Sequence, residues 1–431
     1  MLEHLIQQTE QAEVFEIESE ATKIKFEANR LKAFEVEETR GMAVRVIVDG
    51  RLGFAASSDI EATDKLIANA LESARHGDAL TFNFPAPQVG PLVQVYDPEL
   101  AALPVERLIE MGQEMIASIL EVDPDAHINV DLSRRVRQTT VRNSTGGEVT
   151  VEKAPLSISM NVERVRGDDI VIIFDYFNTA IKDDGYRAFA RRIADKLRLA
   201  RRAATLGSGR MPVLFSPTGS PVLALPLMQG LNGKNVYRGI SPMAGRIGEH
   251  LFDNKLTMVD DPTLDGRPGS SSHDDEGVPR QRRMLIDRGE LRGFVYDLKT
   301  AAQASAEPTG HGERGLFNPP APSFSNLIIE SGDVNLADII AGIEEGLLVE
   351  SILGLGQGNV INGDFSNNLN LAFKIEGGEI VGRVKDVSIA GNVYEDLCSI
   401  EAVSRKAEWV YGGLRLPYIL LPKLNVVTKG A

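Results

Sequence analysis

Between residues 12 and 57 the chain passes through five short segments, VFEIES, TKIKFEA, LKAFEVEE, MAVRVIV and RLGFAA, built on alternation of apolar and polar residues. A period of two sends successive side chains to opposite faces, so one face can be buried only if the segments lie side by side in a sheet. Asp49-Gly50 supplies a tight-turn signal before the last of them, which makes the arrangement antiparallel. A helix is expected next, over residues 59–75, where Ile60, Ile67, Ala70, Leu71 and Ala74 recur at helical spacing behind a cap at Ser58 or Asp59. The Pro-rich stretch 84–98, FPAPQVGPLVQVYDP, continues neither element and reads as a linker.

Beyond it comes helical spacing over residues 104–120, then strand-type runs over 128–177 broken at Ser144-Thr145-Gly146-Gly147 and at Gly167-Asp168, then a long helix over 186–205. After Gly207-Ser208-Gly209 the composition shifts towards Gly, Pro, Asn and short strands, and LIDRGELRGFVYD and FKIEGGEIVGRV read as hairpins. The expected fold class is α+β: an N-terminal α/β region of antiparallel sheets with helices, followed by a β-rich C-terminal domain of curved or barrel-like sheet. Three domains are expected, at 1–83, 99–206 and 210–431, and 431 residues are enough for each to bury a core.

Charge and cysteine content narrow the setting. Lys and Arg number 46 against 61 Asp and Glu, a net charge of −15, so phosphate backbones and anionic lipid are repelled at long range and nucleic acid or membrane would need a local basic patch. Cys398 is the single cysteine, which excludes an intramolecular disulfide and a Cys-x-x-Cys zinc ribbon. With no signal-peptide pattern and no stretch approaching about 18 apolar residues, the chain is read as cytoplasmic and full length.

Residues able to carry chemistry are sparse. The six histidines, His4, His76, His127, His250, His273 and His311, include none followed by Glu and no two spaced four or five apart, so a zinc site on one helix face is missing. GRPGSSSHDDEGVP, residues 266–279, reads either as a binding loop presenting carboxylates or as a solvated turn. Serine hydrolysis is disfavoured because no G-x-S-x-G elbow occurs. LGLGQGN at 353–359 does not open a helix and reads as tight turns rather than a phosphate cradle. The basic helix carries Arg187, Arg191, Arg192, Lys196, Arg198, Arg201 and Arg202 opposite an apolar stripe of Phe189, Ile193, Leu197 and Ala200, and its plain reading is a solvated amphipathic helix. Trp409 reads as core or interface.

Longer strings are more specific. LKAFEVEETRGMAVRVIVDGRLGFAA (31–56), FDNKLTMVDDPTLDGRPGSSSHDDEGVPRQRRMLIDRGELRGFVYDLKTA (252–301) and PTGHGERG (308–315) resemble the TldD/PmbA family, and the resemblance runs over about residues 12–427. That family has a zinc-bearing branch, with a His-Glu-x-x-x-His helix and a later Cys, and a PmbA or TldE branch of the same fold without the motif. The equivalent segment here is PVLALPLMQGLNG, residues 221–233, where the histidine positions fall on Ala224 or Leu225 and on Gln229, none of which ligates as imidazole does. The resemblance therefore implies the PmbA/TldE branch: no catalytic residue, no metal and no cofactor in this chain, with zinc in a TldD-like catalytic partner. It further implies a heterodimer, or a homodimer when the partner is absent, acting on unfolded or extended peptides. Peptide contacts are expected from His273, Asp274, Asp275 and Glu276, with His311 and Arg314. Two alternatives stay open: a self-sufficient metallopeptidase drawing on His250, His273, His311 and Cys398, and a regulatory binding protein such as a modulator of DNA gyrase, resting on the basic helix.

Overall fold

A computed structural model describes residues 1–429 apart from Thr81, Asp168 and Gly358. After a short helix α1 (Leu2–Ile6) come three long antiparallel strands, β1 (Gln11–Glu27), β2 (Arg30–Val48) and β3 (Arg51–Ser57). VFEIES and TKIKFEA are thus one strand, as are LKAFEVEE and MAVRVIV, because β1 and β2 pair without a break from Gln11 and Ile47 to a bulge at Lys25/Phe26. Helix α2 (Thr63–Arg75) buries Leu66, Ile67, Ala70 and Ala74. It starts later than expected because Asp59 turns the chain first, its Oδ1 accepting from Glu61 N–H at 3.1 Å.

Two helices, α3 (Pro98–Ala101) and α4 (Val105–Leu120), lead into β4 (His127–Asn143), β5 (Glu148–Lys153), β6 (Leu156–Arg166) and β7 (Asp169–Thr179), and α5 (Gly185–Leu199) closes the half. The strands form one sheet in the order β3-β2-β1-β4-β6-β7, with β5 on the free half of β4. β1 pairs with β4 from Glu13/Asn143 to Phe26/Val130, so strands on both sides of residues 84–98 share a sheet. That stretch is not a free linker, since Phe84 is buried and Gln88 contacts His273. The expected break at Gly167-Asp168 falls partly on Asp168, outside the described residues. Helix α5 ends at Leu199, short of residue 205, because the chain turns away to the second sheet, where Ala204 N–H donates to the Arg383 carbonyl.

The C-terminal half opens with β8 (Gly209–Phe215), α6 (Pro221–Leu231) and α7 (Gly233–Tyr237). Then follow β9 (Met258–Asp260), β10 (Arg283–Asp287), β11 (Glu290–Leu291), α8 (Leu298–Ala304), β12 (Gly312–Glu313), β13 (Ala321–Pro322) and β14 (Leu327–Ile329). After α9 (Leu336–Ala341) come β15 (Glu345–Ile352), β16 (Asp364–Glu376), β17 (Glu379–Val384), β18 (Val387–Asn392), β19 (Ala402–Val410) and β20 (Leu414–Thr428). Strands β20-β18-β16-β15-β8 form a ring, and the β8–β20 pairing closes it into a barrel. The α+β class with a barrel-like C-terminal sheet is what the structure shows.

Both faces of the barrel strands are covered. Val213 and Phe215 of β8 pack with Leu223 and Leu227 of α6, while Leu214 between them joins Leu348 and Phe373 in a second cluster with Phe189, Ile193 and Leu197 of α5 and Ile158 and Met160 of β6. One apolar core therefore spans the two halves.

Candidate functional site

Where the first sheet meets the loops of the C-terminal half there is a cavity of about 670 Å³. One wall is a face of β4 and β5 carrying Arg135, Arg137, Thr139, Val151 and Lys153. The opposite wall is the 266–280 loop, the β12–β13 hairpin and the turn between β19 and β20. Alternation explains the first wall, since odd-numbered residues of β4 and their partners on β5 point to the same side.

The loop is shaped by its own carboxylates. Asp274 Oδ1 accepts from the N–H groups of Glu276 and Val278, each at 2.9 Å, and Oδ2 from Gly312 N–H at 2.9 Å, tying the loop to β12. Burial nonetheless pushes this carboxyl up to about 6. Glu276 has no exposure: Oε1 accepts from Arg45 Nη1 at 2.5 Å and Oε2 from Leu298 N–H at 2.7 Å. Burial, with Asp297 and Asp274 adding to it, pushes Glu276 up to about 8 against the pull of Arg45. Arg45 is shared, because its Nε and Nη2 also hold Glu13, and Arg314 Nη2 reaches Glu13 Oε1 at 2.7 Å. With two guanidiniums against it, Glu13 is held below the usual carboxylate range despite its burial.

Of the six residues expected to face a peptide, His273, Asp275 and Arg314 line the cavity. His273 Nε2 donates to the Gln88 carbonyl at 3.2 Å, and burial lowers its pKa. Asp275 Oδ2 accepts from Arg314 N–H at 3.0 Å. Asp274, Glu276 and His311 lie behind the wall and hold it in place. His311 has both ring nitrogens engaged, Nδ1 with the Thr309 carbonyl at 2.8 Å and Nε2 with Asp260 Oδ2 at 3.1 Å. Sequence reading missed Arg45, Lys153, Arg137, Arg280 and Gln88. Arg45 had a visible signal: it interrupts MAVRVIV, and a charge in a strand buried on both faces requires a buried partner.

The other candidate groups are dispersed. His250 and Cys398 share a separate surface pocket with Asp253 and Glu290, so the structure does not bring together the four donors considered for a self-sufficient site. At the zinc-helix position, Ala224 is fully buried, Leu225 half-buried, and exposed Gln229 carries the one polar side chain of the three, its Oε1 accepting from Asn235 at 3.1 Å. Pro226 sits inside that helix. Two aliphatic side chains and a hydrogen-bonded amide do not fit zinc, and among the described residues no group of three or more His, Cys, Asp or Glu is placed to hold a metal. On α5, Arg187 pairs with Glu114, Arg192 with Asp175 and Glu408, Lys196 with Glu350 and Arg198 with Asp195. Much of its positive charge is therefore satisfied within the molecule. Trp409 is half-buried in β19, with the Arg267 guanidinium 3.9 Å from its ring centre.

Two family models match the chain: the PmbA/TldA metallopeptidase C-terminal domain over residues 208–428, just over half of its length, and the PmbA/TldA metallopeptidase domain 1 over residues 12–74. A metalloprotease of Methanothermobacter thermautotrophicus is 25% identical over 395 residues, 89% of this chain and 86% of that protein. The crystal structure of TldE from Thermococcus kodakarensis superposes with a TM-score of 0.91 at 26% identity, covering 99% of this chain and 98% of the other. A Thermotoga maritima protein described as a candidate modulator of a DNA gyrase shares the fold, with a TM-score of 0.87 at 22% identity over 97% and 96% of the two chains.

Proposed function

The chain belongs to the PmbA/TldA metallopeptidase family, and from that premise we propose that it is the TldE-like, non-catalytic subunit of a two-subunit peptidase. Its role is to supply binding surface for unfolded or extended peptides in the cytoplasm, while a TldD-like partner supplies the zinc and the hydrolytic step. The observation that carries this reading is the helix Pro221–Leu231, where the positions that the resemblance gives to the zinc ligands of the metal-bearing branch are held by Ala224 or Leu225 and by Gln229. Likeness to TldE across nearly the whole chain supports the same branch.

The cavity suits a peptide better than a folded protein. Among the described residues β4 is the one strand paired with β5, whose Val151 and Lys153 face the cavity; just beyond β5, Ala154 N–H donates to the Val95 carbonyl at 3.1 Å. An extended segment held mainly through its main chain is read with little sequence preference. His273 and Asp275 then offer polar contacts from the opposite wall. No step of bond cleavage is assigned to these residues; they bind and orient.

The test is to purify the chain alone and with a TldD-like partner, then measure zinc by elemental mass spectrometry and cleavage of an unstructured peptide. Expected are zinc well below one per chain and no cleavage for the chain alone, with chelator-sensitive cleavage on mixing. Stoichiometric zinc and chelator-sensitive cleavage by the chain alone would overturn the proposal.

A further inference from the structure

The β4–β5 wall of the cavity gathers three cations that meet no carboxylate at ion-pair distance among the described residues. Arg137 and Lys153 are direct cross-strand partners on β4 and β5, and like charges placed opposite one another oppose sheet pairing. Arg135 lies two residues along on the same face. Arg135 donates to Ser19 Oγ at 3.4 Å and Lys153 Nζ to the Pro268 carbonyl at 3.2 Å, so both meet neutral acceptors. Among the described residues, none of these three forms an ion pair within 4.0 Å. Across the cavity, Arg280 is 5% exposed and gives Nη2 to Glu313 at 2.9 Å, but its Nε and Nη1 are buried without a partner among the described residues. Nε and Nη1 of Arg314, 7% exposed, are in the same condition. All this occurs in a chain of net charge −15.

Buried donors and facing cations of this kind are stabilised by an anion that accepts from several of them at once. We propose that the cavity binds the carboxylate of an extended peptide, seated between the Arg137–Lys153 pair and Arg280. The proposal rests on the peptide-binding reading for what carries the carboxylate, and on this chain's own residues for the site. A carboxylate fits better than a nucleic-acid strand, because the cations converge in one bounded cavity, whereas a phosphate backbone is tracked by cations strung along an open groove. Lining carboxylates Asp275 and Glu313 offset only part of the charge of the five lining cations, so the cavity stays net positive while remaining bounded. Lys153 itself is pushed down to about 8 by burial and by Arg280. Its amine is therefore unusually available to a reagent near neutral pH, and a bound carboxylate would favour the protonated ammonium form and shield it.

The test uses the full chain and two probes. Unstructured hexapeptides carrying an uncharged BODIPY dye are compared by anisotropy: one with a free C-terminal carboxylate, one amidated, and one amidated with an internal Glu. The charged peptides are expected to bind at least tenfold more tightly than the neutral amide, and whichever of them does so names the source as a terminus or an acidic side chain. In Lys153→Gln and Arg137→Gln the preference falls below twofold, while Lys65→Gln, which removes the same charge from exposed α2, retains it. Separately, acetate alone is expected to slow labelling of Lys153 by an amine-selective ester, read by mass spectrometry. Equal binding of acid and amide overturns the carboxylate site and leaves peptide binding standing. Protection of Lys153 by acetate without binding of any peptide upholds the site and overturns the peptide reading. Protection by inorganic phosphate and not by acetate overturns the proposal in favour of a phosphate ligand.

Discussion

Glu276 has no solvent exposure and faces Arg45 directly, with Asp274 and Asp297 near it and Glu13 and Arg314 on the far side of Arg45. Its carboxyl is pushed up to about 8 from an ordinary 4.5. A carboxyl that keeps its proton to higher pH when folded than when unfolded binds more protons in the native state, so stability falls as pH rises from about 4.5 towards about 8. Asp274 acts in the same sense but is finished near 6. His273, lowered below 6.5, acts oppositely at lower pH, and Lys153, lowered to about 8, acts oppositely above it. The interval from about 6.5 to 8 therefore belongs mainly to Glu276. Urea-unfolding free energy is expected to decline there by up to about 1.4 kcal/mol per pH unit. Glu276→Gln removes the titrating proton and should flatten that slope; an unaltered slope would locate the effect elsewhere.

Between elements, the contact of α2 with the first sheet depends on a missing side chain. A Cβ built on Gly53 of β3 would stand 2.3 Å from the Ala70 carbonyl oxygen and 2.8 Å from the Ala74 nitrogen, both backbone atoms of α2. Backbone cannot rotate aside as a side chain can, so the helix as a whole must lift from the strand. Gly53→Ala is expected to destabilise by about 1–3 kcal/mol. Gly207→Ala, where the added methyl meets nothing within 4 Å, should change stability by less than about 0.5 kcal/mol. Chemical denaturation of the two variants side by side checks the pair, and equal effects would show that α2 is not held against β3 as described.

Across the whole molecule the two sheets share a core. Ile193 of α5 is fully buried in the cluster that also contains Leu214, Leu348 and Phe373 of the barrel. Ile193→Ala removes packing from both halves at once and is expected to cost about 2–5 kcal/mol. The far-UV circular dichroism curve and the fluorescence of Trp409, which reports on the barrel side, should shift by the same amount. A Trp409 transition left in place while the other moves would mean that the halves unfold separately.

The α+β class, the turns at Asp49-Gly50 and Gly146-Gly147, the apolar stripe of α5 and the family were all legible from the residues alone, because they are written in local periodicity or in long contiguous strings. The sequence also made plain that Ala224, Leu225 and Gln229 offer no imidazole. Long-range pairing, by contrast, puts strands from both sides of residues 84–98 into one sheet, since β1 and β4 join residues more than a hundred positions apart. Likewise Asp274 and Glu276 read as exposed acidic loop residues, yet they are buried by partners, Gly312 and Arg45, that no spacing links to them. The cationic wall arises in the same way: Arg137 and Lys153 face each other through strand register, and Arg280 arrives from a different half of the chain. Periodicity says which face of a strand a residue occupies, but not what stands opposite it; that is fixed by long-range pairing, where burial and charge then set the chemistry.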